Sequence, residues 1–222
     1  IARRYAQERQ NFEVFTHAEN IGIEGNLNRC IQLGRGDYLA FYHADDVYEP
    51  DIVERQVAFL ERHRDAGAVL TGARYIDSRG AQVGVHALPP AIRAVNEVLY
   101  DFPALLKDVL RYSNFLLSPS AMVRTSVYQN DIRVWDGERY GTSADLDVWL
   151  RIAQRHKIGI LPAPLMRYRV SHYSFSYRYR RMRTTPHVIL RVLDDYVDRY
   201  REAYLDGEDL KRYRLFSFKD HA

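Results

Sequence analysis

DYLAFYHADD, residues 37–46, is an apolar run that ends abruptly in His43-Ala-Asp45-Asp46. A short apolar run of this kind is typical of a strand buried in a parallel sheet. Open α/β sheets bind their ligands just beyond the carboxyl ends of such strands, which is where these two carboxylates fall. The stretch therefore predicts a buried strand over residues 37–42 and a ligand site directly after it.

The segments around this strand alternate between strand and helix patterns. Leu27 and Ile31 stand four apart, as on one helix face, and the apolar residues after Pro50 repeat with a helical period. The predicted elements are a helix tail at 1–10, strands at 11–16, 37–42, 68–71 and 82–85, and helices at 25–31 and after Pro50. This alternation predicts an α/β fold, with a mainly parallel, Rossmann-related sheet flanked by helices.

The second half of the chain is less regular. It predicts helices at 104–112 and 143–156, strands at 118–123, 158–161 and 165–170, and helix over most of the last forty-odd residues. From Val148 to Leu193 there is no Asp or Glu, while the same stretch holds ten cations. We therefore predict one compact domain over residues 1–176 and a basic, mostly helical extension over 177–222.

Composition excludes several classes of protein. Of the 222 residues, 46% are hydrophobic and 27% are charged, which suffices for a core and argues against disorder. The net charge of +3 is too small for a protein that coats nucleic acid. The single cysteine, Cys30, excludes a disulfide scaffold and a cysteine-rich zinc site. Neither a signal peptide nor an apolar run of about 18 residues is present, so we expect a cytoplasmic protein.

The Asp45-Asp46 pair offers the hard oxygen ligands that Mg²⁺ or Mn²⁺ prefers. Such ions bind one or two carboxylates and complete their coordination with substrate phosphates. An alternative interpretation is that Asp46 or Glu49 caps the helix that follows Pro50. The spacing alone leaves both interpretations open.

Five short motifs follow one another along this part of the chain: Asn20-Ile-Gly22, Gly25-Asn26-Leu-Asn28, Gly36-Asp-Tyr-Leu-Ala, His43-Ala-Asp45-Asp46 and Pro50-Asp51. Together they resemble the family 2 glycosyltransferases of the GT-A fold. The resemblance implies that Asp45 binds the metal that bridges to the donor diphosphate, with Asp46 as a second candidate. His43 stands where many members have the first Asp of the motif, which contacts ribose or metal.

A second site follows from Thr142-Ser-Ala-Asp145-Leu-Asp147-Val-Trp149-Leu-Arg151. This stretch resembles the family's Glu-Asp motif at the head of a helix, with Ala144 in place of the usual Glu. The resemblance implies that Asp145 is the general base. Thr142-x-x-Asp145 is also a capping-box pattern, so a purely structural role stays open. Asp147 is expected at the surface or behind the site.

Two further segments carry candidate ligands. Tyr168-Arg169-Val-Ser-His172 resembles a family segment in which His approaches the metal or diphosphate, although a lone His is often structural. Beyond it, Arg180 and Arg181 lie in an arginine-rich stretch that suits a clamp on the donor diphosphate. The alternatives are a peripheral contact with anionic lipid at the inner face of the membrane, or a solvated helix face.

These expectations combine into one function. The resemblance implies an inverting enzyme that uses Mg²⁺ or Mn²⁺, a nucleotide-diphosphate sugar donor and a carbohydrate or lipid-linked acceptor. It also implies that the chain starts after the family's first strand or strands, on the order of 50 residues. The alternatives are a nucleotidyltransferase on a similar fold and an inactive module that binds sugar or polyanion.

Overall fold

The computed structural model describes residues 2–170 and 187–221. Its helices are α1 (Ala2–Glu8), α2 (Gly22–Leu33), α3 (Ile52–Arg62), α4 (Pro90–Arg93), α5 (Phe102–Tyr112), α6 (Gly137–Tyr140), α7 (Ala144–Ala153), α8 (Ile189–Tyr204) and α9 (Gly207–His221). Its strands are β1 (Tyr38–Ala40), β2 (Val47–Tyr48), β3 (Ala66–Ile76), β4 (Gln82–Val85), β5 (Val98–Tyr100), β6 (Met122–Arg124) and β7 (Lys157–Arg169). Short 3₁₀ turns lie at Ser118–Ser120 and Gly141–Ser143, and a π-helical turn lies at Val127–Ile132.

A single sheet in the order β1-β6-β3-β7-β2 organises the fold, with β4 paired to β3 and β5 paired to β7. Its long central pair, β3 and β7, runs parallel from Ala66 opposite Lys157 to Ile76 opposite Arg169. The flanking pairs are antiparallel. The α/β class is therefore confirmed, with a mixed sheet in place of the mainly parallel one. β4, for instance, follows β3 through a tight turn, a connection too short for a parallel crossover.

The central pair is covered by helices on both faces. β3 is almost continuously apolar from Ala66 to Ala73, and these residues are buried, as expected for a strand with both faces covered. On one face α3 packs directly on β7, because a side chain at Gly159 would stand within 2.1 Å of the Phe59 ring. On the other face α5, α7 and α8 contribute to the larger apolar core. The sheet is thus a rigid platform between two layers.

Two predicted strand assignments differ from the structure. Residues 11–16 form no strand, since no neighbouring strand of the described chain pairs with them and Phe15 is 55% exposed. The strands predicted at 158–161 and 165–170 are one strand, β7, with irregular register opposite Gly72. Pro162 and Pro164 explain the irregularity, because proline has no N–H to give to the ladder.

The C-terminal helices pack on the same core. α8 buries one face, including Leu193 and Tyr196, against the helices of the main body. The Tyr196 hydroxyl donates to Asp147 Oδ1 at 3.0 Å, which ties α8 to α7. The boundary predicted at residue 176 lies outside the described residues. Within the described ranges, the structure contains no helix with the length and apolar character needed to span a membrane.

Candidate active site

The loop after β1 carries the predicted ligand site and is fastened to the end of β7. Tyr48, in β2, pairs with Met166 of β7. The Tyr48 hydroxyl accepts a hydrogen bond from the backbone N–H of His43 at 2.8 Å, and its ring stacks on Tyr42 with centroids 4.1 Å apart. The loop is therefore held beside the end of the parallel pair β3 and β7. The strand predicted to be buried over 37–42 is shorter, Tyr38–Ala40, is half-buried, and pairs antiparallel with β6.

His43, Asp45 and Asp46 come together in this loop. One ligand atom from each lies within 4.8 Å of the others. His43 Nδ1 is 4.0 Å from Asp46 Oδ2. The motif therefore forms one compact group of an imidazole and two carboxylates, although His43 and Asp45 are exposed.

Asp46 is the buried member of the group. Its side chain is 2% exposed, and its Oδ1 accepts the backbone N–H of Arg169 at 2.8 Å. Its Oδ2 is buried without a hydrogen-bond partner in the described chain. Burial raises the pKa of Asp46, and the charge of Asp45 adds to this, while the Arg169 N–H and His43 oppose it. A buried carboxylate oxygen with no donor is costly unless something else satisfies it.

A divalent cation is the group that this oxygen fits. Mg²⁺ and Mn²⁺ prefer hard oxygen ligands, which Asp45 and Asp46 supply, and imidazole is a known metal ligand. The sequence names Asp45 as the main metal candidate, but the structure favours Asp46, whose Oδ2 accepts no hydrogen bond from the described residues, while Asp45 is exposed. The assignment of the three residues to a metal stays a prediction.

Arg169 holds the loop from the side of β7. Its Nε donates to the backbone oxygen of Asp45 at 2.8 Å, and its Nη1 donates to that of Asp77 at 2.7 Å. With its own N–H on Asp46 Oδ1, this one residue holds the Asp46 carboxylate and the backbone of Asp45. The sequence places Arg169 beside Tyr168 in a family-like segment but gives no sign of this role.

Asp145 lies in the first turn of α7, where its carboxylate receives three hydrogen bonds. Ser118 Oγ donates to its Oδ2 at 2.9 Å, and Asn114 Nδ2 approaches the same oxygen at 3.4 Å. The backbone N–H of Leu146 donates to Oδ1 at 2.8 Å. Burial raises the pKa of Asp145, and these three donors, led by Ser118, pull it back. These donors orient the carboxylate and offset part of the effect of burial on its pKa.

The capping-box alternative for Asp145 is not what the structure contains. Neither of the two reciprocal bonds of such a box links Thr142 and Asp145 among the described residues, and Ser143 begins α7 without a side-chain cap. Asp147, expected at the surface or behind the site, is 5% exposed. Its carboxylate pairs with Arg151 at 2.8 Å, so its role is structural, as one partner of a largely buried ion pair within α7.

Ser118 and Asn114 were not predicted as site residues, because neither belongs to a recognisable motif. The strand predicted at 118–123 is instead a 3₁₀ turn, Ser118–Ser120, followed by β6. His172, Arg180 and Arg181 fall within 171–186, outside the described residues, so their predicted roles are not tested.

The structure is similar to that of TarS of S. aureus in complex with UDP-GlcNAc. The TM-score is 0.68 at 14% sequence identity, and the match covers 98% of this chain and 60% of that chain. A second TarS structure, with UDP, has a TM-score of 0.62 at 18% identity, covering 98% of this chain and 59% of that one. The fold is therefore GT-A-like, as the motifs imply.

The chain belongs to glycosyl transferase family 2. The sequence profile of that family matches residues 1–129. An uncharacterized glycosyltransferase of Methanocaldococcus jannaschii is 25% identical over 77% of this chain and 54% of its own length. EpsE of Bacillus subtilis, named as a glycosyltransferase, is 30% identical over 68% of this chain and 50% of its own length. The chain thus spans about half the length of these relatives.

Proposed function

We propose that this protein transfers a sugar from a nucleotide-diphosphate donor to an acceptor hydroxyl, with inversion at the anomeric carbon. Membership of the family supports the reaction class. The observation that carries the proposal is the buried Oδ2 of Asp46, which accepts no hydrogen bond from the described residues and lies in a cluster of groups that could bind a metal. A site of this kind suits a cation that binds phosphate oxygens.

On the donor side, His43, Asp45 and Asp46 would hold Mg²⁺ or Mn²⁺. When bound, the ion supplies Lewis-acid neutralisation of the diphosphate that leaves the sugar. TarS was crystallised with UDP-GlcNAc and with UDP, which supports a nucleotide-sugar donor here. Arg169 keeps the loop in place by its bonds to the Asp45 backbone and to the Asp46 carboxylate.

On the acceptor side, Asp145 acts as the general base. Its hydrogen bonds favour the ionised carboxylate that a base needs, although the group is partly withdrawn from water. It removes the proton of the attacking hydroxyl as the new bond to the anomeric carbon forms and the bond to the diphosphate breaks. A single displacement of this kind inverts the configuration and needs no covalent intermediate.

The remaining candidates extend the same proposal. His172 would add a ligand to the metal or diphosphate, and Arg180 and Arg181 would clamp the diphosphate. The acceptor would be a carbohydrate or a lipid-linked sugar, with peripheral membrane contact in the second case. The protein would act in the cytoplasm.

The test is calorimetric titration with UDP and GDP, each with and without Mn²⁺, followed by a search for nucleotide release from a panel of nucleotide sugars. We expect one nucleoside diphosphate to bind in a Mn²⁺-dependent way and its sugar derivative to be consumed. A nucleotidyltransferase would instead take a nucleoside triphosphate and release pyrophosphate. Absence of binding by both nucleotides in the presence of Mn²⁺ would contradict the proposal.

A further inference from the structure

The turn Ser118–Ser120 is anchored to the centre of the sheet. Ser120 is fully buried, and its Oγ accepts the backbone N–H of Thr71, in β3, at 3.0 Å. The same oxygen donates to the backbone oxygen of Leu117 at 2.7 Å. The turn therefore cannot shift without breaking a buried bond to the central strand. Ser118, at the start of the turn, donates to Asp145.

Gln56 of α3 joins this turn to the loop that carries the cluster of His43, Asp45 and Asp46. Its Nε2 donates to the backbone oxygen of Ser120 at 2.7 Å, and its Oε1 accepts the hydroxyl of Tyr42 at 3.0 Å. Gln56 is 0% exposed, so losing either bond would leave a buried polar group unsatisfied. Tyr42 in turn stacks on Tyr48, which binds the backbone of His43. A continuous set of contacts thus runs from the cluster to Asp145.

We propose that Ser118 is a positioning residue for the candidate base. Its hydroxyl orients the Asp145 carboxylate, and the turn fixes that carboxylate relative to the loop that carries His43, Asp45 and Asp46. This inference rests on the proposed function and assigns a role to a residue outside the recognised motifs. Because a hydroxyl donor stabilises the charged carboxylate, Ser118 also favours the ionised, proton-accepting form.

Among the groups around Asp145, the Ser118 hydroxyl does most to stabilise the charged carboxylate. Burial raises the pKa of Asp145, and Ser118 is the largest of the groups that lower it. Several charged groups on the packed elements pair elsewhere: Asp147 with Arg151, Asp195 with Arg139, Asp131 with Arg155 and His156, Asp108 with Tyr100, and Lys107 with Asp209. Burial lowers the pKa of His86, which favours its neutral form.

The test compares Ser118→Ala with Ser118→Thr in the pH profile of sugar transfer. Loss of a hydrogen bond to a charged group should move the acidic limb of kcat/KM upward by about one to two pH units in Ser118→Ala. Ser118→Thr keeps the hydroxyl and should retain the wild-type limb. Donor affinity should stay unchanged in both variants, because Ser118 contacts the base and not the cluster.

A distant core variant controls for loss of stability. Ile92→Val removes one buried methylene and should cost about 1 kcal/mol without moving the limb. A Ser118→Ala profile that keeps the wild-type limb would overturn the positioning role while leaving the proposed transferase function intact.

A second readout works even if no sugar transfer is found. The carboxyl ¹³C resonance of Asp145, assigned by its loss in Asp145→Asn, reports the ionisation of this group directly. An upward shift of its titration in Ser118→Ala, reversed in Ser118→Thr, supports the role of the hydroxyl. An unchanged titration overturns it, whether or not the wild-type protein is an active transferase.

Discussion

The backbone N–H of Arg169 donates to Asp46 Oδ1 at 2.8 Å, across 123 positions of sequence. Arg169 is the last residue of β7, and Asp46 lies in the loop after β1. β1 and β7 are not neighbours in the sheet, yet this bond brings the loop of one to the end of the other. The candidate metal site therefore depends on the path of the loop as well as on its residues.

Asp46→Asn should weaken Mn²⁺-dependent binding of the nucleoside diphosphate by more than about tenfold. The amide keeps an oxygen that can accept the Arg169 N–H, but it removes the charge that a cation needs. Asp45→Ala should have the same effect with the fold intact, because this side chain is exposed. Calorimetric titration measures both variants.

The control is Asp51→Asn, which removes a carboxylate that pairs with Arg55 at the surface. It should bind nucleotide as the wild type does. Unchanged metal dependence in both Asp45→Ala and Asp46→Asn would show that the cluster does not bind the ion.

Asp145→Asn should lower kcat by about 10²- to 10⁴-fold, the usual contribution of a general base. Asn keeps an oxygen that can accept the N–H of Leu146 but cannot take up the proton of the acceptor. Donor affinity should remain close to that of the wild type, because only the acceptor side changes. Steady-state kinetics with donor titration measures both quantities, and near-normal turnover would reduce Asp145 to a structural residue.

The same variant should be more stable than the wild type at neutral pH. Burial raises the pKa of Asp145 in the folded state above its value in the unfolded chain. Between those two pKa values the folded state binds more protons, so its stability falls as pH rises through this window. Asp145→Asn removes that loss. Denaturant unfolding of both proteins from pH 3 to pH 8 measures the difference, and parallel stability curves would contradict the prediction.

Gly159→Ala should destabilise the fold by about 1–3 kcal/mol, because the new methyl group overlaps the Phe59 ring. The double variant with Phe59→Leu should recover part of the loss, since the side chain in the way is smaller. Gly207→Ala is the matched control, because nothing lies within 4 Å of the added carbon. Thermal or denaturant unfolding measures all three, and equal effects at positions 159 and 207 would argue against direct packing of α3 on β7.

Replacing Arg180 and Arg181 together by Ala distinguishes the two sequence-based hypotheses for the arginine-rich stretch. A diphosphate clamp predicts weaker donor binding that liposomes do not alter. A membrane contact predicts unchanged donor binding but weaker, salt-sensitive binding to anionic liposomes, by about 1 kcal/mol per Arg. If neither measurement changes, the stretch is a solvated face.

Much of the fold could be predicted from local patterns. The helix after Pro50, the turn before β4 and the helix that carries Trp149 all follow from apolar periodicity and turn residues, and the structure contains each of them. The predicted strand at 11–16 was wrong, because alternation alone does not supply a partner strand. The antiparallel direction of the flanking strands could not be predicted from the sequence either, because it depends on how the chain returns to the sheet.

For the candidate site, the sequence by itself determined the chemical groups: the His43, Asp45 and Asp46 motif, and Asp145 at the head of α7. Residue type and position along the chain identify these groups as candidates, and the resemblance to the family, rather than spacing alone, implies their roles. Only the tertiary structure decided which carboxylate oxygen is buried without a hydrogen bond from the described part of the chain, and that Ser118 donates to Asp145. Burial and long-range hydrogen bonds arise from segments that meet only on folding, and no local pattern encodes their geometry.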